Sequence, residues 1–368
     1  MGGTAAAQTP FFGDTEVTLA QNATTNSSRP RGVTVVSALN DYDTAQNMDM
    51  DMSGSGHVHQ HTHDDSMWMI EYHYMRMNQD GLLAGTQSIK PQTVLDQAAM
   101  TGKWTYADGT PLDMVAENMT MDMHMFMLMY APTSKVTLMG MLNYLDNNMD
   151  MLMRMDMDMG GGMPMATMPM YSTMSMSSSG LGDTQLQLSY KLDDYLLFNP
   201  LLTLGVSLPT GSIDEKNSNG AYLPYNMQLG SGSYDILASY GMSNRWQRWH
   251  FGGDASYLWH TAHNSHSYSL GDKWTAQGFL KYHFPSNTTI ETAVKYNGWS
   301  KIDGRDERIR ENPNYYGGTR TDFWLAINQD LPRGFALQGR FGIPMYQKLN
   351  GVQSETDWIA EFAASWMF

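Results

Sequence analysis

Cysteine is absent from the 368 residues, so neither a disulfide framework nor a thiolate metal site is available. Its absence suits a protein that meets oxidants outside the cytoplasm, where thiols are oxidised. Charged residues are few, at 16%, and no apolar run approaches the roughly 18 residues that a membrane-spanning helix needs, which excludes a helical membrane protein. Basic residues are outnumbered, with 22 Lys and Arg against 37 Asp and Glu. The resulting net charge of −15 argues against nucleic acid and is compatible with attracting cations. Catalytic motifs are missing as well. There is no nucleophile elbow, Walker loop, dinucleotide fingerprint or His-Glu-x-x-His, and GSGSY around Gly230 reads as a Gly-containing strand, so an enzyme is not expected.

What the chain has in excess is methionine, 34 residues of it. Six occupy every second position of MTMDMHMFMLM: Met119, Met121, Met123, Met125, Met127 and Met129. A spacing of two is the side-chain period of a β-strand and puts all six thioethers on one face. The same spacing recurs at Met48, Met50 and Met52, at Met67 and Met69, at Met75 and Met77, and at Met139 and Met141. It runs again through Met149, Met151, Met153, Met155, Met157 and Met159. Methionine ordinarily fills irregular gaps, so its periodic use asks for a chemical reason, and a soft metal ion supplies one.

Residues 1–65 are rich in Thr, Asn, Ser, Gly and Asp and read as a flexible, mostly disordered arm. The small residues of its start, MGGTAAAQTPFFG, resemble the end of a secretory signal without the charged and apolar regions that precede one. A trimmed or mis-started precursor and a mature chain with an initiator Met both stay open.

From residue 66 to 368, twelve segments alternate apolar with polar: about 66–78, 119–130, 135–147, 182–192, 196–208, 228–241, 245–260, 272–284, 287–298, 319–330, 334–346 and 356–368. The connections alternate too. Short ones at 131–134, 193–195, 242–244, 285–286 and 331–333 take turns with long ones at 79–118, 148–181, 209–227, 261–271, 299–318 and 347–355. Short periplasmic turns and long extracellular loops on an even number of strands are the organisation of an outer-membrane barrel, with both chain ends in the periplasm. The expected fold is all-β: a twelve-stranded antiparallel transmembrane β-barrel whose last strand ends on the aromatic Phe368.

In such a barrel one parity of each strand faces lipid and the other the lumen. Trp68, Ile70, Tyr72 and Tyr74 are the lipid-compatible parity of the first strand, which sends Met67, Met69, Glu71, His73, Met75 and Met77 inward. Val136, Leu138, Leu142 and Tyr144 do the same for the third and send Met139, Met141 and Asn143 inward. An inward ladder on the second strand then places Asp122 and His124 outward, at or above the extracellular rim, because charge in the lipid band is costly. Arg248, His250, Asp254, Lys281, Glu291, Lys295, Asp322, Arg340 and Glu361 fall on the inward parity elsewhere, as a selective lining or a salt-bridged filling.

Two further clusters have metal-ligand character. The arm carries His57, His59, His61 and His63 beside its thioethers, imidazoles for Cu(II) or another divalent ion next to sulfur for Cu(I) or Ag(I). The segment Met149 to Met176, within the loop 148–181, is rich in Gly and Pro and reads as an irregular, flexible soft-metal lure whose Asp residues attract cations. His260, His263 and His266 in HTAHNSH form a weaker set.

Several stretches resemble a family of bacterial outer-membrane transporter-like barrels, the phenol meta-pathway barrel proteins. They are WMIEYHYMRMNQDGLLAGT (68–86), SSGLGDTQLQLSYKL (178–192), GVSLPTGSIDEK (205–216), LPYNMQLGSGSYDIL (223–237), YSLGDKWTAQG (268–278) and GIPMYQKLNGVQSETDW (342–358). The resemblance implies an outer-membrane barrel, and for its Met- and His-rich members a role in copper handling. The resulting expectation is a copper-binding barrel that sequesters or passes Cu(I) or Cu(II), with Cu(I) preferred and Ag(I) or other soft ions also taken. Its expected partners are copper ions, outer-membrane lipid and lipopolysaccharide, and a periplasmic copper chaperone or efflux component. The alternatives are a passive channel for small hydrophobic or aromatic molecules and a plugged, metal-storing surface protein.

Overall fold

The period-two segments become strands. The computed structural model describes residues 33–36 and 58–61 as backbone, and residues 67–157, 168–192 and 198–368 in full. The first two segments form a short antiparallel pair within the N-terminal arm, Val33–Val36 with Val58–His61. In the barrel the strands are β1 (Met67–Gly85), β2 (Met114–Thr133), β3 (Val136–Met157), β4 (Met168–Leu181), β5 (Thr184–Lys191), β6 (Asn199–Leu208), β7 (Asp235–Trp246), β8 (Trp249–His260), β9 (Lys273–His283), β10 (Thr288–Trp299), β11 (Gly318–Asp330) and β12 (Phe335–Met367). All pairings are antiparallel between neighbours, and β12 returns to pair with β1. Reciprocal backbone hydrogen bonds between Trp68 and Phe368, 2.9 Å each, seal the seam at the chain's end.

Two departures from one strand per stave cancel. β4 and β5 continue one another along β3, lying against Tyr144–Met157 and Val136–Met141 respectively. β12 pairs with β11 through Ala336–Leu349 and with β1 through Leu349–Met367. Its two arms face each other: Arg340 meets Glu361 at 3.3 Å, and Phe341 stacks on Trp358. Both contacts are impossible in a straight strand of that length, which would run about 110 Å. The chain reverses at Asn350–Gly351, where Gly351 takes a φ of +58°. Among the described residues the barrel therefore has twelve staves.

Lumen and lipid faces sort by parity. Outward residues such as Ile70, Leu128, Leu142, Leu204, Ile327 and Phe362 form an exposed apolar band, and Trp68, Trp246, Trp366 and Phe368 ring its turn end. A closed barrel satisfies every ladder hydrogen bond internally, so this surface can lie in hydrocarbon.

Loop lengths differ from the sequence reading at specific places. The connection expected at 347–355 is a tight turn, because both flanking strands continue past the membrane band. The turn expected at 242–244 lies at Gln247–Arg248, which exposes Arg248 where an inward position was expected. The long connection after β1 contains α1 (Pro91–Thr101), opened by Pro at its first position and closed by Gly102 in the left-handed conformation. Val94, Leu95 and Ala98 of α1 pack with Leu82, Val115 and Leu152 above the lipid band.

Candidate functional site in the lumen and at its mouth

On β2 the inward parity is an uninterrupted thioether ladder, and inward methionines of β1 and β3 flank it, interrupted by Glu71 and His73 on β1 and by Asn143, Leu145 and Asn147 on β3. Met75, Met77, Met119, Met121, Met123, Met125, Met127, Met129, Met139, Met141, Met149 and Met151 are all buried. Register sets the thioethers opposite one another: Met69 faces Met129, Met75 faces Met123 and Met77 faces Met121 across β1 and β2. Across β2 and β3, Met129 faces Met139, Met127 faces Met141 and Met119 faces Met149. Directly opposed residues hold their Cβ atoms about 5 Å apart.

A β-bulge keeps the wall in phase. The β2–β3 register shifts between Ala116 and Asn118, leaving Glu117 as an extra residue. Met114, at an even position, therefore faces Met153, although the ladder from Met119 upward uses odd positions. The described parts of the segment expected to be an irregular lure, 149–157 and 168–176, are instead paired strands, the projecting ends of β3 and β4. There Met149 faces Met176, Met151 faces Met174, Met155 faces Met170 and Met157 faces Met168. Arg154 and Tyr171 both bond the Asp96 carboxylate of α1, which braces these strand ends against the helix.

The opposite wall is polar and paired. Lys281 lies 2.7 Å from Glu291, Arg340 lies 3.3 Å from Glu361 and 3.9 Å from Glu291, and Arg320 lies 2.8 Å from Asp322. His73 sits between Glu361 at 3.6 Å and Glu71 at 4.0 Å, so it belongs to this network and not to the thioether set. Arg320 Nη1 also reaches the Met77 sulfur at 4.0 Å and the Thr356 hydroxyl at 3.0 Å, joining the two walls. Buried charges of this kind are tolerated because each has an opposite partner.

The lumen is narrowed by an in-folded loop, residues 209–234. Its Leu223, Met227 and Leu229 are buried in one cluster with the methionine wall. Asp183, between β4 and β5, holds the base of this loop by accepting from the backbone N–H groups of Gly211 and Ser231 and from the Ser231 hydroxyl, each at 2.8 Å. Gly211 and Gly230 come so close that a Cβ on Gly230 would lie 2.5 Å from the Gly211 carbonyl oxygen. Two further loops cover the first: Tyr225 packs with Tyr268 and Leu270 of the β8–β9 connection and with Ile309 and Tyr316 of the β10–β11 connection. Glu311 accepts from the Tyr225 N–H and from the Tyr316 hydroxyl. Burial pushes its carboxyl up to about 7 against these hydrogen bonds, which pull it down.

Between the loops and the wall lies a cavity of about 240 Å³. Tyr106, Leu112, Trp299, Met114, Met151 and Met174 line it, and it opens onto the head of the methionine wall.

A sequence profile of the family described as "Putative MetA-pathway of phenol degradation" matches residues 113–321, more than half of the chain. The chain belongs to this family. No curated protein matches it. Among solved structures, an outer membrane channel from Pseudomonas putida F1 superimposes with a TM-score of 0.54 at 13% identity, over 83% of this chain and 97% of that one. A Pseudomonas aeruginosa FadL homologue (TM-score 0.39, 11% identity, 83% and 91% covered) and the Pseudomonas putida toluene transporter TodX (TM-score 0.38, 11% identity, 82% and 89% covered) also match.

Family membership gives the quoted sequence stretches a shared structural meaning. SSGLGD supplies Asp183, GVSLPTGS supplies Gly211, and LGSGS supplies Gly230 and Ser231, so three stretches far apart in sequence meet in one hydrogen-bonded knot. The knot corrects the reading of GSGSY as strand, since β7 begins only at Asp235. Asp122 and His124 do face outward, where Tyr74 bonds Asp122 and Tyr72 bonds His124 at 2.8 Å. His260, His263 and His266 are not a ligand set. Each goes to different carboxylates: His260 to Asp235 and Asp272, His263 to Asp303, and His266 to Asp214 and Asp306. Met48, Met50, Met52, His57, His63 and Met159 lie outside the described residues, and His59 and His61 are described as backbone alone.

Proposed function

We propose that this barrel admits small apolar or aromatic molecules at its extracellular mouth and lets them pass along the methionine wall. The cavity of about 240 Å³ carries the reading: its lining is mainly aromatic, aliphatic and thioether, with polar groups such as Gln79, Arg308, Arg310 and Glu311 among it, and it opens onto flexible methionines. Membership of a family described by phenol degradation, and the shared fold of an outer membrane channel, support it. Passage requires the wall to yield, and unbranched thioethers repack more readily than branched aliphatics. The test is uptake of a radiolabelled monoaromatic by cells carrying the protein, compared with Ala116→Trp, which fills the cavity from its β2 side. Uptake should fall several-fold in the variant while the barrel remains assembled. Equal uptake by wild type, variant and protein-free cells defeats the proposal.

A second reading is favoured by the opposed register of the thioethers. Neutral sulfur donors gathered on one wall suit Cu(I) or Ag(I) as cargo, held or passed across the outer membrane, with the His- and Met-bearing arm on the periplasmic side. An anaerobic Cu(I) titration against a competing chromophoric chelator, with and without residues 1–65, tests it. Tight binding that survives removal of the arm supports lumen sites, and absence of binding excludes the reading.

A further inference from the structure

We propose that the methionine wall carries two separate three-sulfur sites for a soft monovalent cation, one at each end of the lumen. The inference rests on the soft-metal reading above and assigns its sites. The outer site is the row Met119, Met149 and Met176, three directly opposed residues on β2, β3 and β4. The inner site is the row Met69, Met129 and Met139 on β1, β2 and β3. Each row places three inward thioethers side by side across three adjacent strands, and the barrel's curvature turns the flanking two toward the central one.

Position singles out these rows. Met119 and Met129 are the first and last members of the β2 ladder, so the rows stand about 33 Å apart along the tilted strand, or about 25 Å along the membrane normal, close to the height of a barrel's apolar band. Between them the wall offers fewer sulfurs per level: Met77 with Met121, Met75 with Met123, Met125 alone, and Met127 with Met141. At Met125 the flanking inward residues are His73 and Asn143. At Met77 the Arg320 guanidinium already approaches the sulfur, which disfavours a cation there. Successive levels are about 7 Å apart, so the intermediate thioethers form a path between two better sites. Above the outer row, Met151 with Met174, and then Met155 with Met170 and Met157 with Met168, continue the same face to the described ends of the projecting strands. The thioether surface thus runs from those ends along the uninterrupted β2 ladder to the turn end of the barrel.

Packing alone does not explain this choice. Methionine loses more rotamer freedom on burial than leucine, so a leucine wall fills the same space at lower entropic cost. Thioethers also differ from imidazoles in carrying no proton to lose. Binding by these rows should be independent of pH between 5.5 and 7.5, whereas binding by the histidines of the arm should weaken as imidazole protonates near 6.5.

The experiment uses the full chain in detergent, titrated anaerobically with Cu(I) against a chromophoric chelator, and with Ag(I) as a redox-inert probe. Three variants are compared with wild type: Met119→Leu/Met149→Leu/Met176→Leu, Met69→Leu/Met129→Leu/Met139→Leu, and both together. Each triple variant should lose one tightly bound equivalent and the combined variant two, with X-ray absorption of the wild type at pH 5.5 showing sulfur as the neighbour. If a triple variant fails to assemble, the single changes Met149→Leu and Met129→Leu, which remove the centre of each row, replace it and should weaken one equivalent at least tenfold. Unchanged stoichiometry and affinity in every variant overturn the assignment while leaving soft-metal binding to the arm or the projecting strand ends. Absence of tight binding by the wild type overturns the soft-metal reading itself.

Discussion

Replacing Asp183 with alanine should free the in-folded loop while leaving the barrel closed. The carboxylate accepts three hydrogen bonds of 2.8 Å, two of them from the backbone N–H groups of Gly211 and Ser231. Removing it leaves those buried donors unsatisfied, at about 1–3 kcal/mol each. Recovery of the carboxylate's own desolvation cost offsets part of this, so about 3 kcal/mol of loop docking should be lost, roughly a hundredfold in the opening equilibrium. The barrel ladders are untouched, because Asp183 lies between β4 and β5 and not within either. Asp183→Asn keeps one acceptor of similar shape and should lose about half as much. Hydrogen exchange at the amides of Gly211 and Ser231 measures the opening directly, and single-channel conductance in planar bilayers reports whether the lumen widens as Leu223, Met227 and Leu229 leave it. Exchange within threefold of wild type in a folded Asp183→Ala protein would refute the knot as the loop's anchor.

Gly230→Ala should act on the same loop by overpacking, since its Cβ would lie 2.5 Å from the Gly211 carbonyl oxygen; a loss of about 1–3 kcal/mol is expected, read as faster proteolysis of residues 209–234 with unchanged strand content by circular dichroism. Glu311 should make docking of the outer loop pH-dependent. Its carboxyl, held near 7 by burial, binds a proton more tightly when docked than when released, so docking is strongest below about pH 4 and weakens as pH rises toward 7. Glu311→Gln should abolish that dependence, measured as exchange of the Tyr225 amide corrected for its intrinsic pH response; a persisting loss of docking as pH rises would assign the effect to a group other than Glu311. On the polar wall, Arg340→Leu removes the guanidinium from Glu361 and leaves Glu291 with Lys281 alone, and should cost about 3–5 kcal/mol in urea unfolding from detergent, against less than about 1.5 kcal/mol for Met125→Leu on the thioether wall.

The barrel was legible because period-two alternation and the alternation of loop lengths are both local signals, and each stave carries its own. The strand ends were less so. Strands such as β3 extend past the lipid band to Met157, where no lipid demands an apolar outward parity and the hydropathy pattern lapses, so paired strand ends read as an irregular loop. The wall's orientation was legible from β1 and β3, whose outward aromatics and leucines leave methionine only the lumen. β2 alone did not decide it, because outward Asp122 and His124 depend on Tyr74 and Tyr72 of the neighbouring strand.

The mouth was illegible for a different reason. Asp183, Gly211, Gly230 and Ser231 are unremarkable residues one at a time, and their meaning lies in contacts between segments almost 50 positions apart. The pairing of two glycine-containing stretches, LPTGS and LGSGS, was the available signal, since glycine is required where two backbones touch. This difference bears on function. The knot uses stretches through which the chain resembles its family, whereas the opposed thioether rows depend on where methionine happens to be placed along β1 to β4. The loop knot and the thioether wall are therefore separable in the sequence: exchanging the wall for leucine should leave the loop knot formed, and breaking the knot should leave the rows in register.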